Sequence, residues 1–120
     1  MTEYLSLEDL LALTDDLGVG PVRDLGLLDS AAHRPQTELI GYEAYTSLDE
    51  KAAVLVESIV SNDPLVDGNK RLAWVSVSVF YGLNGEHLEA PDDDAYNLVV
   101  AMASGELGYR EAAPRLAHWH

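Results

Sequence analysis

Residues 63–71 read Asp-Pro-Leu-Val-Asp-Gly-Asn-Lys-Arg. From Asp67 to Arg71 they set a carboxylate, a glycine, an amide and two cations in consecutive positions. Each type suits an anion. Glycine lets the backbone come close to a ligand. If a helix begins here, its first N–H groups have no internal partner and its dipole favours negative charge. Lys70 and Arg71 add positive charge, and Asp67 is the kind of ligand magnesium takes beside substrate phosphates. A phosphate site, most simply a nucleotide's, is the chemistry these residues suggest. The same residues also allow a plainer reading, an Asp-Gly turn followed by two solvated cations.

The rest of the chain sharpens the contrast. Net charge is −14, with 7 basic against 21 acidic residues, so two of the few cations fall in this one loop. Nucleic acid and anionic membrane both need many Lys/Arg–phosphate contacts, and an acidic surface of this size opposes them. A phosphate site would therefore be a local basic pocket in an acidic body. The absence of cysteine rules out disulfides and thiolate metal sites. No run approaches the roughly 20 apolar residues of a membrane span, and the start carries no basic, apolar leader. A cytoplasmic protein is expected. At 120 residues and 48% hydrophobic content, residues 1–120 read as a single domain.

The elements that would position the loop follow from caps and periodicity. Ser6-Leu-Glu-Asp9 resembles a capping box, and Leu7, Leu10, Leu11 and Leu17 recur at helical spacing up to Gly18. Gly20-Pro21 breaks this first helix. A second spans residues 24–33 and stops before Pro35. Residues 34–46, with Pro35, Gly41, Tyr42 and Tyr45, read as a surface loop or short hairpin. Ser47-Leu-Asp-Glu50 is a full capping box, and Ala52, Leu55, Val56, Ile59 and Val60 form one apolar face of a third helix reaching Asn62.

Residues 71–83 are apolar nearly all round, as a buried central element would be, and their local signals conflict. Val75-Ser-Val-Ser-Val79 alternates with period two before Asn84-Gly85, a hairpin cue. Yet Leu72, Ser76, Val79, Phe80 and Leu83 share a helical face, and Asn-Gly equally ends a helix. Pro91 and Asp92–Asp94 open another helix, running to Ser104-Gly105. A last one covers residues 109–118, with Pro114 in an early turn or at a kink.

Residues 63–71 resemble the signature of the Fic/Doc family, His-x-Phe-x-Asp/Glu-Gly-Asn followed by Gly-Arg or Lys-Arg. Chain length, the helices flanking the loop and Arg34-Pro35-Gln36 ahead of a flap region extend the resemblance over residues 4–116. It implies an all-α fold, a compact helical bundle with a central buried helix and a short β/loop flap, and it makes residues 71–83 helical. Nucleotide-transferring members carry Gly after the Asn and a further Arg three residues beyond the first; here those positions are Lys70 and Trp74. The Asn-Lys-Arg form is similar to death-on-curing (Doc) toxins, which phosphorylate elongation factor Tu and are neutralised by an antitoxin. The resemblance thus implies a toxin of a toxin–antitoxin system with ATP and magnesium as cofactors. A cognate antitoxin and a translation-factor target would be its partners. Asp67 would bind the metal, Gly68, Asn69, Lys70 and Arg71 would hold the ATP phosphates, and Lys70 and Arg71 would also serve catalysis. Phosphoryl transfer asks mainly for positioning and charge neutralisation.

One departure bears on activity. The family's histidine, which takes the proton from the target hydroxyl, falls at Asp63. A carboxylate is ionised at neutral pH, a weak base, and adds negative charge beside a triphosphate. Losing a positioned general base costs about 10²–10⁴ in rate. The expectation is a chain that keeps the phosphate cradle and transfers little. Either an inactivating substitution or a naturally altered member accounts for Asp63. AMP transfer, and a non-catalytic nucleotide- or protein-binding module, are the alternatives. Leu65 replaces the family's aromatic as an apolar anchor. Of the other residues, His118-Trp-His120 reads as a frayed end and Trp74 as core. Tyr109 and Trp119 read as packing for the last helix, and Asp92–Asp94 as a helix start rather than a calcium site.

Overall fold

A computed structural model describes all of residues 1–120. Six helices carry the fold: α1 (Leu7–Leu17), α2 (Leu25–His33), α3 (Leu48–Asn62), α4 (Asn69–Leu83), α5 (Asp92–Ala103) and α6 (Tyr109–Ala117). A 3-10 turn at Arg34–Gln36 leads into a hairpin of β1 (Glu38–Leu39) and β2 (Tyr42–Glu43), paired antiparallel with Leu39 opposite Tyr42. The all-α expectation and the small flap both hold.

The caps act as the sequence suggests. Ser6 and Asp9 form a reciprocal capping box at α1, and Ser47 and Glu50 form another at α3. The Ser47 N–H bond to its carboxylate holds Glu50 below the usual carboxylate range. Gly18 ends α1 in the left-handed region at φ 66°.

α3 is the central helix, packed against α2, α4, α5 and α6. Nine of its 15 residues are buried, against six of the 15 in α4. The hydropathy of residues 71–83 had pointed to α4 for that place. One face of α4, at Trp74, Val75, Ser78 and Val79, is instead only half-buried. Ala52 and Ala53 are small and fully buried, and Leu10, Leu28, Leu55, Ile59, Leu72, Phe80, Leu98 and Leu116 close the core around α3. Fully buried Lys51 is the unexpected member. Its ammonium donates to the carbonyl of Tyr45 at 2.6 Å and meets Glu43 Oε2 at 3.3 Å, tying the base of the hairpin to α3.

The Asn84-Gly85 cue belongs to a helix end. Asn84 Nδ2 donates to the carbonyls of Phe80 and Glu3, and Gly85 takes φ 80°. α6 runs through Pro114 without a break.

The packing role read for Tyr109 and Trp119 holds: Tyr109 packs edge-on against Tyr45, and Trp119 packs against Trp74. Two expectations are corrected. Trp74 is half-buried and walls a groove rather than filling the core. Trp119 and His120 are docked, not frayed. His120 Nε2 lies 2.6 Å from Asp49 Oδ1 and Nδ1 lies 3.2 Å from Glu86 Oε2, with the ring 4.6 Å from that of Tyr81. Sequence periodicity carries no sign of these long-range charge partners.

Candidate phosphate-binding loop

The loop starts where α3 stops. Asp63 caps α3 in the left-handed region, φ 54° and ψ 52°, which a non-glycine residue rarely adopts. Its N–H still donates to the carbonyl of Ile59, and Arg23 donates to its carbonyl. Pro64 and Leu65 then turn inward, and Leu65 is fully buried as the apolar anchor its position suggests.

Asn69 closes the loop. Its Nδ2 donates to Asp63 Oδ1 at 2.6 Å and to the Leu65 carbonyl at 3.0 Å, and its Oδ1 accepts the Leu65 N–H at 2.9 Å. The amide side chain is therefore committed to the loop, leaving its backbone N–H for a ligand.

Residues 19–24 lie along the outside of the same loop. Gly20 N–H donates to the Asp67 carbonyl, Val66 N–H to that of Pro21, and the N–H groups of Arg23 and Asp24 to that of Pro64. Gly68, at φ 94°, rests on Val19, and a Cβ there would overlap the valine side chain. Both the backbone angle and the contact require glycine at this position.

Beyond Gly68 the first helical hydrogen bond of α4 runs from Leu72 N–H to the Gly68 carbonyl. The N–H groups of Asn69, Lys70 and Arg71 have no acceptor in the protein, and no side chain caps the helix. Lys70 and Arg71 are exposed and make no ion pair with the chain's many carboxylates. Asp63, Asp67, Gly68, Asn69, Lys70 and Arg71 all line one cavity of about 430 Å³. An apolar groove of about 410 Å³ adjoins it between α4 and α5, sharing Lys70, Arg71 and Tyr96.

This donor set fits a phosphate group: free N–H groups at a helix start, unpaired cations and a glycine that keeps the floor low. No group of three or more His, Cys, Asp or Glu side chains is arranged to hold a metal ion by itself. Asp67 is an exposed carboxylate that, unlike Asp63, has no side-chain partner, an arrangement that suits magnesium held jointly with phosphates and water.

Two residues of the site went unmarked in the sequence. Arg23 reaches the loop across 40 positions, and Tyr96 reaches it from α5. Such separations leave no local pattern. Gly20-Pro21 signalled only the end of α1.

The wider resemblance is direct. The family described as "Fic/DOC family" matches residues 4–81. A protein named Toxin Doc from Mycolicibacterium smegmatis (strain ATCC 700084 / mc(2)155) is 47% identical over 121 residues, covering 98% of this chain and 93% of that protein. The family match takes in the loop, α3, α4 as far as residue 81, the hairpin and the strap from residue 19 to 24, and the likeness to Toxin Doc runs nearly end to end. This chain therefore belongs to the Fic/Doc family.

Proposed function

We propose that this chain is a Doc-type toxin of a toxin–antitoxin system, built for ATP-dependent modification of a protein hydroxyl and impaired at Asp63. The observation that carries the reading is the cavity bounded by residues 67–71. Three acceptor-free N–H groups and two unpaired cations face a common space in a protein of net charge −14. Such a set holds the phosphates of a nucleotide by fixed dipoles and charge, the main demand of phosphoryl transfer. ATP with magnesium would supply the transferable phosphoryl group, with Asp67 as the metal's carboxylate. Lys70 and Arg71 would neutralise phosphate charge, and Gly68 would admit the backbone to close contact. A Ser/Thr hydroxyl on a translation factor such as elongation factor Tu is the proposed target, and a cognate antitoxin the proposed partner.

Asp63 stands where the family histidine accepts the target's proton. Here its carboxylate is hydrogen-bonded to Asn69, within the loop that it closes. That bond favours a second reading, a non-catalytic module that keeps the nucleotide cradle for binding alone.

Asp63→His separates the two. Restored growth arrest with ATP-dependent labelling of a translation factor supports the toxin reading. A mass gain of about 80 Da marks phosphate and about 329 Da marks AMP. A folded Asp63→His protein that binds ATP and labels nothing supports the binding module.

A further inference from the structure

Asp63 holds an unfavourable backbone conformation, and its backbone carbonyl is restrained from outside the loop. Arg23, in the strap between α1 and α2, directs both Nε and Nη2 at the Asp63 carbonyl. Nε is 3.1 Å away, and Nη2 also lies 3.4 Å from the carbonyl of Asn62. Among side chains outside residues 62–71, Arg23 is the one that hydrogen-bonds Asp63.

The arrangement suits both partners. The last carbonyls of α3 form the negative end of the helix dipole, where a cation is favoured. The planar fork of a guanidinium can hold one carbonyl with two donors and touch a second, which an ammonium cannot reproduce. The strap carrying Arg23 is itself fastened by the backbone bonds from Gly20, Arg23 and Asp24 to the loop. Arg23 therefore approaches from a fixed base.

We infer that Arg23 is a positioning residue for the side chain at position 63. It acts through the peptide carbonyl and touches no reacting atom. Relaxing residue 63 toward the right-handed region would swing its carbonyl away from Arg23. The same rotation would carry its side chain away from Asn69 and the cavity. Holding the carbonyl thus fixes where the side chain points, which for the family's proton acceptor decides whether it meets the target hydroxyl. A misplacement of about 1 Å can cost about 10² in rate.

The inference rests on the proposed function for its catalytic consequence, and on geometry alone for its structural one. The test has two arms. In the Asp63→His background, adding Arg23→Gln should lower kcat about 10- to 100-fold and leave KM for ATP within about threefold. Arg23→Lys should recover only part of the loss. Unchanged kcat, or kcat and KM falling together with Tm, overturns it.

The second arm uses the chain as it stands. Arg23→Gln should speed hydrogen exchange at the Leu65 amide, which donates to Asn69 Oδ1, about tenfold or more relative to amides in α5. Unchanged exchange overturns the inference even if Asp63→His proves inactive. The failure of the functional reading is thereby told apart from the failure of this one.

Discussion

The Asp63 carboxylate accepts a 2.6 Å hydrogen bond from Asn69 Nδ2, joining the last turn of α3 to the first residue of α4 across the loop. The same amide group clasps both backbone atoms of Leu65. One side chain thus holds the loop at its start, its anchor and its end.

Asn69→Ala leaves the buried Leu65 N–H without an acceptor and should destabilise the fold by about 1–3 kcal/mol. Asn69→Asp should not rescue it, because the carboxylate loses both donors and faces Asp63. Urea midpoints with unchanged m-values check both variants.

Gly68→Ala meets two penalties. The positive φ costs about 1–3 kcal/mol, and the new methyl group overlaps Val19. Gly105 has a similar φ of 83° with nothing within 4 Å of an added Cβ. Gly68→Ala should therefore be the more destabilising of the two, and the difference measures the Val19 contact. Equal losses in thermal unfolding would contradict the close approach.

The docked His120 makes stability depend on pH. Burial pulls its pKa down, but the hydrogen bonds and charges of Asp49 and Glu86 together outweigh burial and raise it. Both ring nitrogens face carboxylate oxygens, which the doubly protonated imidazolium satisfies best. Tyr81 shares the site, its hydroxyl donating to Asp49 at 2.6 Å, and burial followed by Asp49 pushes its own pKa up. A raised pKa in the folded state contributes stability that is fully present below the unfolded value of about 6.5. That contribution is lost as pH rises through the folded value. Stability should thus fall between mildly acidic and mildly alkaline pH, and His120→Gln should flatten the fall. Trp74 and Trp119, the chain's two tryptophans, pack edge-on next to this site, so intrinsic fluorescence should follow the undocking.

Magnesium ATP should raise Tm by several degrees when added well above its Kd. Lys70→Ala should remove most of that shift while leaving the ligand-free Tm nearly unchanged, because Lys70 is exposed and makes no ion pair. Raising salt should weaken the shift in the unaltered protein more than in the variant. Equal shifts in both proteins would remove Lys70 from the site.

Much of this protein was set by local sequence. Ser6, Ser47 and Gly18 mark helix ends because caps act within one turn, and α1, α2 and α3 follow from caps and apolar spacing. The order Asp67-Gly-Asn-Lys-Arg71 pointed to a phosphate loop because neighbouring residues supply its donors and charges.

Tertiary structure decided the rest. Residues 71–83 satisfied strand and helix patterns alike, and packing against α3 settles α4 as a helix, with α3 rather than α4 at the centre. Lys51 is buried because the Tyr45 carbonyl and the Glu43 carboxylate come to meet it, and His120 is docked by Asp49 and Glu86 from distant elements. Asn69, read as a phosphate ligand, proved to have its side chain engaged by Asp63 and Leu65. Arg23 reaches Asp63 only after the strap folds back along the loop. Hydrogen bonds and charge pairs between distant positions have no period along the chain. They take shape only once the apolar core has placed the helices.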